Sequence, residues 1–205
     1  RQLNNEVKET RRNNFEELFD SQIATLNSRG VPQETLRRLH DQKKVVIDKA
    51  SKMTIGNGNI PFIPVVKPSY LGYYGLMSLV HNGANKGYAY IDPDAITDKE
   101  KTPNKLYYIY DVEDGEAMRG KSSKTTEKLL KAQNRYPLTV AEAIALATHT
   151  DVLSRHSMDI PGARYDSDYV PFLWLYDGQP RRGSGWATSS ADSNSNWGSA
   201  SCGAR

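Results

Sequence analysis

Only one cysteine, Cys202, occurs in the 205 residues. A lone thiol forms no intramolecular disulfide, which excludes the small cross-linked scaffolds and fits a reducing compartment. No apolar run approaches the roughly 20 residues that a membrane helix needs. The charged, Asn-rich start also lacks the apolar core of a secretory signal. A cytoplasmic protein with no membrane partner is therefore expected. Charge of one sign is scarce too: 27 Lys and Arg face 24 Asp and Glu, for a net +3. A dedicated nucleic-acid binder usually carries a stronger or clustered excess, so nucleic acid is not implied. Histidine is limited to 4 positions. His149 and His156 stand about two helical turns apart with no carboxylate or thiol at a supporting spacing, and no metal site is expected.

What is present describes an α+β protein, with a mixed sheet, flanking helices and an N-terminal helical hairpin. Residues 1–14 are polar and read as a frayed or exposed helix start. Phe15, Leu18, Phe19, Ile23 and Leu26 recur at helical spacing, and Gly30 with Pro32 supplies a stop. Leu36, Leu39, Val46, Ile47 and Ala50 predict a second helix, so that 15–50 form the hairpin and 60–205 a sheet-containing body, in one domain over 15–205. Strands are predicted at 60–66, 87–91, 106–112 and 169–176, and helices at 71–80, 125–134 and 140–148. Thr139-Val-Ala-Glu142 is a capping-box pattern that opens the last of these helices.

Three places carry candidate chemistry. The first is the C-terminal stretch from Trp186 to Arg205, which has the small polar residues of a linker yet holds two of the 3 Trp, the only Cys and an Arg. Disordered segments are poor in aromatics. Small residues let backbone approach a ligand, and Trp, Ser, Asn and Arg then grip it. With Arg164 and Trp174, the residues Trp186, Trp197, Ser199, Ser201, Cys202 and Arg205 make up a candidate small-ligand site. Cys202 with His149 as its base is a further catalytic candidate, against the ordinary reading of a lone Cys as a small buried hydrophobe.

The second place is Gly115-Glu-Ala-Met-Arg-Gly120-Lys121-Ser122, which satisfies the phosphate-loop pattern between a strand and a helix. Asp177, after an apolar strand, would serve as the carboxylate of a second nucleotide motif. Glu113, Asp114 and Glu116 oppose a polyphosphate there. The third is the set of tyrosines at 70–74, 88–90 and 107–110, either half-buried sheet surface or a platform for sugars or bases.

Pro137-Leu-Thr139 with Glu142 and Ala145-Leu146, Val170-Pro-Phe-Leu-Trp174, and Trp197-Gly-Ser-Ala-Ser-Cys202-Gly-Ala-Arg205 resemble an uncharacterised, often actinobacterial, bacterial domain family of unknown function. Ile60-Pro-Phe62 is similar to that family's early Val-Pro-Phe strand, and the resemblance spans 15–205. It implies no known activity. It does imply that Trp174, Trp197, Ser199, Ser201, Cys202 and Arg205 belong to the shared centre of the domain. Gly162-Ala-Arg164 is similar to a Gly-Ser-Arg of the family with Ala163 in place of Ser, so a catalytic Ser is not expected. Residues 185–196 lack the family's second Cys and its His, which argues against shared metal or thiol chemistry. Gly115 fits the family's turn, whereas Gly120-Lys121-Ser122 does not.

Three functions remain open on the sequence. One is a ligand-binding domain using the C-terminal Trp/Ser/Cys/Arg segment. Another is nucleotide binding or hydrolysis at 115–122, and the third is a protein-interaction module that recruits a partner through 1–50.

Overall fold

The computed structural model describes residues 2–89, 95–166, 168–188 and 194–205, with the side chains of 73–74 and 183–188 outside the description. Helix α1 runs from Gln2 to Ser28. Its first half is solvent-exposed, and burial begins where the apolar spacing begins, at Phe15, Phe19, Gln22 and Leu26. The second arm of the hairpin is broken in two, α2 (Gln33–His40) and α3 (Lys43–Lys52), because Asp41 and Gln42 end one helix and start the next.

Strand β1 (Ile60–Val65) is followed by α4 (Pro68–Met77), in which Gly72 leaves the helical region at φ 67°. The short strands β2 (His81–Asn82), β3 (Asn85–Lys86), β4 (Tyr88–Ala89) and β5 (Ile96–Asp98) precede β6 (Tyr107–Val112). Then come α5 (Ser123–Ala132), β7 (Tyr136–Pro137), α6 (Val140–His149) and α7 (Val152–Arg155). The chain finishes with β8 (Ser157–Asp159), β9 (Ala163–Tyr165), β10 (Tyr169–Tyr176), β11 (Gln179–Thr188), β12 (Trp197–Gly198) and β13 (Ser201–Cys202).

Among the described residues the strands form two main sheets, beside two short ribbons, β13–β7 and β2–β3. Strands β1 and β6 form an antiparallel ribbon, Ile60 opposite Val112 and Val65 opposite Tyr107. Pro61 and Pro64 donate no ladder bonds, as an edge strand allows. The buried Gln22 side chain of α1 donates to the Phe62 carbonyl at 2.7 Å, closing part of that edge. The larger sheet has the order β12-β8-β10-β11-β4, with β9 joining β10 and β5 joining β9. It is mixed: β8, β10 and β11 pair antiparallel, while β11–β4 and β12–β8 are parallel.

Between these systems lies α6, buried from Val140 to Thr148. An α-helix apolar on every side belongs inside a protein. The apolar cluster around it runs from Phe15 and Phe19 through Phe62, Tyr108 and Ile144 to Leu173, Ala200 and Cys202. The strand expected over 87–91 is described only at Tyr88 and Ala89; Tyr90 and Ile91 lie outside the described residues.

Candidate functional site

The C-terminal residues singled out by sequence separate into two environments. Ser199, Ser201, Cys202 and Arg205 enter the body of the protein. Trp174 and Trp197 face outward on the large sheet.

The inward half is organised by the first turn of α6. Thr139 caps the helix, accepting from the Glu142 N–H, while the Glu142 carboxylate accepts from the Thr139 N–H at 2.8 Å. This capping box places Glu142 where it is fully buried. A buried carboxylate is tolerated only when paired and hydrogen-bonded. Arg205 supplies the pair, donating Nε to Oε2 at 2.7 Å and Nη2 to Oε1 at 2.8 Å. The Tyr107 hydroxyl donates to Oε2 at 3.0 Å. Arg205 Nη2 also reaches the Pro137 carbonyl at 2.9 Å, its guanidinium lies over the Tyr136 ring, and Lys49 Nζ holds the Arg205 carbonyl at 2.9 Å. Burial alone would depress the Arg205 pKa, but its bonds and attraction to Glu142 raise it.

A second pair braces the same region. Arg135 donates to the Asp111 carboxylate and carbonyl, both at 2.6 Å, and to the Ser201 hydroxyl at 2.9 Å. Asp111 adopts φ 50° and also accepts from the Gly56 N–H and Asn59 Nδ2. Cys202 is fully buried on β13, which pairs with β7. Burial, then the nearby Glu142 charge, pushes its thiol up to about 12. Such a thiol is not a nucleophile near neutral pH. The expected base His149 stands at the far end of α6, seven residues and about 10 Å along the helix from Glu142. The geometry therefore gives Ser201, Cys202 and Arg205 positions inside the packed body.

The phosphate-loop match has the expected flanks, a strand ending at Val112 and a helix starting at Ser123. The loop's own interior is full. Glu113 accepts from the Gly115 and Ala117 N–H groups at 3.0 and 3.2 Å, and Asp114 accepts from Glu116 N–H at 3.0 Å. The amides of Met118, Arg119, Gly120 and Lys121 bond backbone carbonyls. The Ser122 hydroxyl caps α5 by accepting from Thr125 N–H. A phosphate cradle needs those N–H groups directed at the anion. Here the protein's own carboxylates and backbone carbonyls occupy them. Asp177 sits instead with Gly178 in a two-residue hairpin turn, φ 50° and 75°, between β10 and β11.

Arg164 is likewise occupied, bonding the Pro161 and Ala163 carbonyls and pairing with Glu127 at 3.3 Å. His156 is buried with Nδ1 on the Ser157 carbonyl, and the described residues contain no group of three His, Cys, Asp or Glu able to hold a metal. Tyr107, Tyr108 and Tyr110 are buried, which removes that part of the tyrosine platform.

The outward half is different. Leu173 points into the core at zero exposure, so its neighbours Phe172 and Trp174 point to the other face, as a strand requires. Tyr176 follows two residues on. Rings contact in series: Phe172 to Trp174 at 5.4 Å, Trp174 to Tyr176 at 5.5 Å, and Phe172 to Trp197 of β12 at 5.1 Å. Directly opposite partners share a face. Trp174 faces Arg181, and Phe172 faces both Asp159 and Gly183. The Arg181 guanidinium lies 4.6 Å from the Tyr176 ring. Tyr176 is 51% exposed, Phe172, Trp174 and Trp197 are half-buried, and the Trp174 Nε1 atom is itself buried, with no hydrogen-bond partner among the described residues. The Trp186 side chain lies outside the described residues. Sequence reasoning missed Phe172, Tyr176 and Arg181; the alternation Phe172, Trp174, Tyr176 along one strand was the signal for them.

A family described as a family of unknown function, DUF5701, matches residues 18–205. The chain belongs to DUF5701. Both halves of the C-terminal segment fall inside the family match, as do the Glu142–Arg205 pair and the capping box. The exposed half of α1 precedes it. Comparison of this DUF5701 chain with curated proteins and with solved structures finds no significant match. Among the described residues no helix is long and apolar enough to cross a membrane.

Proposed function

We propose that this DUF5701 protein is a carbohydrate-binding domain whose site is the aromatic outer face of the large sheet, and that residues 15–205 fold as one unit around the continuous apolar cluster. The observation that carries the reading is the contiguous ring series Trp197–Phe172–Trp174–Tyr176 on an outward sheet face. Over the four residues from Phe172 to Tyr176 the series extends about 14 Å, long enough for more than one sugar ring. Ring faces take the C–H face of a pyranose, and a polar handle at the edge fixes its orientation. Arg181, opposite Trp174 and over the Tyr176 ring, supplies such a handle. Of the C-terminal set, Trp174 and Trp197 contact ligand in this reading, while Ser199, Ser201, Cys202 and Arg205 hold the scaffold.

The test is a titration with soluble oligosaccharides, followed by tryptophan fluorescence and by retention on insoluble polysaccharides. A saturable response that weakens by about 2 kcal/mol, roughly thirtyfold, in Trp174→Ala is expected. Cys202→Ala should bind like the parent. Silence toward every carbohydrate, or a response that survives Trp174→Ala and Trp197→Ala together, sinks the proposal. A response to nucleotides alone transfers the face to base stacking.

One observation favours a second reading, a protein partner recruited through the N-terminal helices. Leu3 and Val7, one turn apart on α1, are 73% and 61% exposed. Deleting residues 1–14 and comparing proteins retained by the two forms tests it.

A further inference from the structure

On the opposite side of the large sheet from the aromatic face, the ends of two helices leave a cleft of about 420 Å³. Its lining includes Arg29, His81, Asn82, His149, Thr150 and Asp151. Arg29 follows the last turn of α1, where Gly30 at φ 84° turns the chain away. One nitrogen of its guanidinium, Nη1, donates to the Leu79 and Thr148 carbonyls. That satisfies the C-terminal end of α6, where a cation belongs. A guanidinium carries five N–H donors, and Nε and Nη2 have no partner among the described residues. No carboxylate among the described residues pairs with Arg29 either. The one acidic side chain in the lining, Asp151, is held by Arg155 at 3.2 Å.

Neutral donors and acceptors surround this cation. His149 is lowered to about 3 by burial and by the Arg29 charge, and its buried Nε2 has no partner among the described residues. His81 is lowered for the same two reasons and contacts the Ser78 carbonyl through Nε2. Both imidazoles are therefore uncharged at neutral pH, and Arg29 is the one positive group among the described lining residues. A partly desolvated guanidinium with free donors and no carboxylate is suited to a small oxyanion.

We infer that this cleft is a second ligand site, separate from the aromatic face, that binds a small carboxylate or phosphate through Arg29, with His81 and His149 in the surrounding wall and Asn82, whose amide nitrogen also bonds the Gly178 carbonyl, at its edge. Carboxylate and phosphate present the same chemistry to the guanidinium, so both serve as probes.

The four histidines provide an internal control. His81 and His149 line the cleft; His40 and His156 do not. Imidazole NMR signals of the full chain are followed while inorganic phosphate or succinate is added at constant ionic strength. The expected result is a saturable shift of His81 and His149 with His40 and His156 unmoved. The probe that saturates at the lower concentration identifies the source. In Arg29→Gln the affinity should fall at least about tenfold, with Arg29→Lys between the two. Unchanged His40 and His156 signals show that a variant has kept its fold. The inference is overturned if no histidine shifts, if all four drift together without saturating, or if folded Arg29→Gln binds as tightly as the parent.

Discussion

At Arg205 both ends of the side chain's interactions are closed: the guanidinium bonds Glu142 and Pro137, and the residue's carbonyl takes Lys49. At Trp174, in the same C-terminal region, the ring is half-buried, its buried indole N–H has no partner among the described residues, and its neighbours are other rings and Arg181. The first arrangement spends its polar groups on the protein itself. The second leaves them over. Residues of the kinds that bind ligands thus carry no functional meaning until their partners are known.

The sharpest way to break this contrast is Arg205→Gln. Removing one partner of a buried ion pair leaves Glu142 uncompensated at zero exposure, and a loss of about 3–5 kcal/mol in chemical denaturation is expected. A loss below about 1 kcal/mol would mean that Glu142 has water or another cation within reach. Next in size is the acid limb of stability. Burial alone would raise the Asp111 pKa, but bonds from Asn59, the Gly56 N–H and Arg135 bring it below the usual carboxylate value. A depressed carboxylate stabilises fully above its unfolded pKa of about 3.9, and that contribution disappears as pH falls through the lower folded value. Asp111→Asn should therefore flatten the fall in stability below about pH 4; an unchanged pH profile would remove Asp111 from the bracing role.

Trp174→Ala sharpens the other side. A half-buried ring on an outward face should cost about 1–2 kcal/mol of stability, less than the about 3–5 kcal/mol of a core aromatic. A core-sized loss in thermal unfolding would show the face to be structural. The smallest effect expected is at Cys202, which should leave a thiol-reactive dye unreacted at pH 8 in native protein and react once denaturant is added. Prompt labelling of the native state would restore Cys202 as a candidate nucleophile.

Much of the architecture was legible because it depends on local patterns. The capping box at Thr139 and Glu142 is present with both reciprocal bonds, and β6, α5 and β10 lie within a residue or two of their predicted spans. The break at Asp41–Gln42 was not legible, since the apolar spacing continues across it and only packing separates α2 from α3. The phosphate-loop pattern misled because it records glycine, lysine and serine but not who occupies the amides; Glu113 and Asp114, noted as unfavourable charges, occupy those of Gly115, Glu116 and Ala117, and backbone carbonyls take the next four. Asp177-Gly178 after the apolar run 169–176 was a hairpin signal in plain view. Arg29, by contrast, reaches the cleft beside His149 only through the meeting of two helix ends distant in sequence. No linear pattern announces that.

The Asp177-Gly178 turn also says something about the order in which the structure is acquired. It joins the ends of β10 and β11 with a two-residue loop, so their ladder from Tyr176–Gln179 onward needs almost no chain closure before its first bonds form. The closing of β13 against β7 and Arg205 onto Glu142 joins residues more than sixty positions apart. Local pairing of this kind belongs early on a folding route and distant closure late. Contacts made after the transition state act chiefly on the unfolding rate. The Glu142–Arg205 pair is then a latch: it governs how long the folded protein lasts and leaves the speed of its assembly to the hairpin.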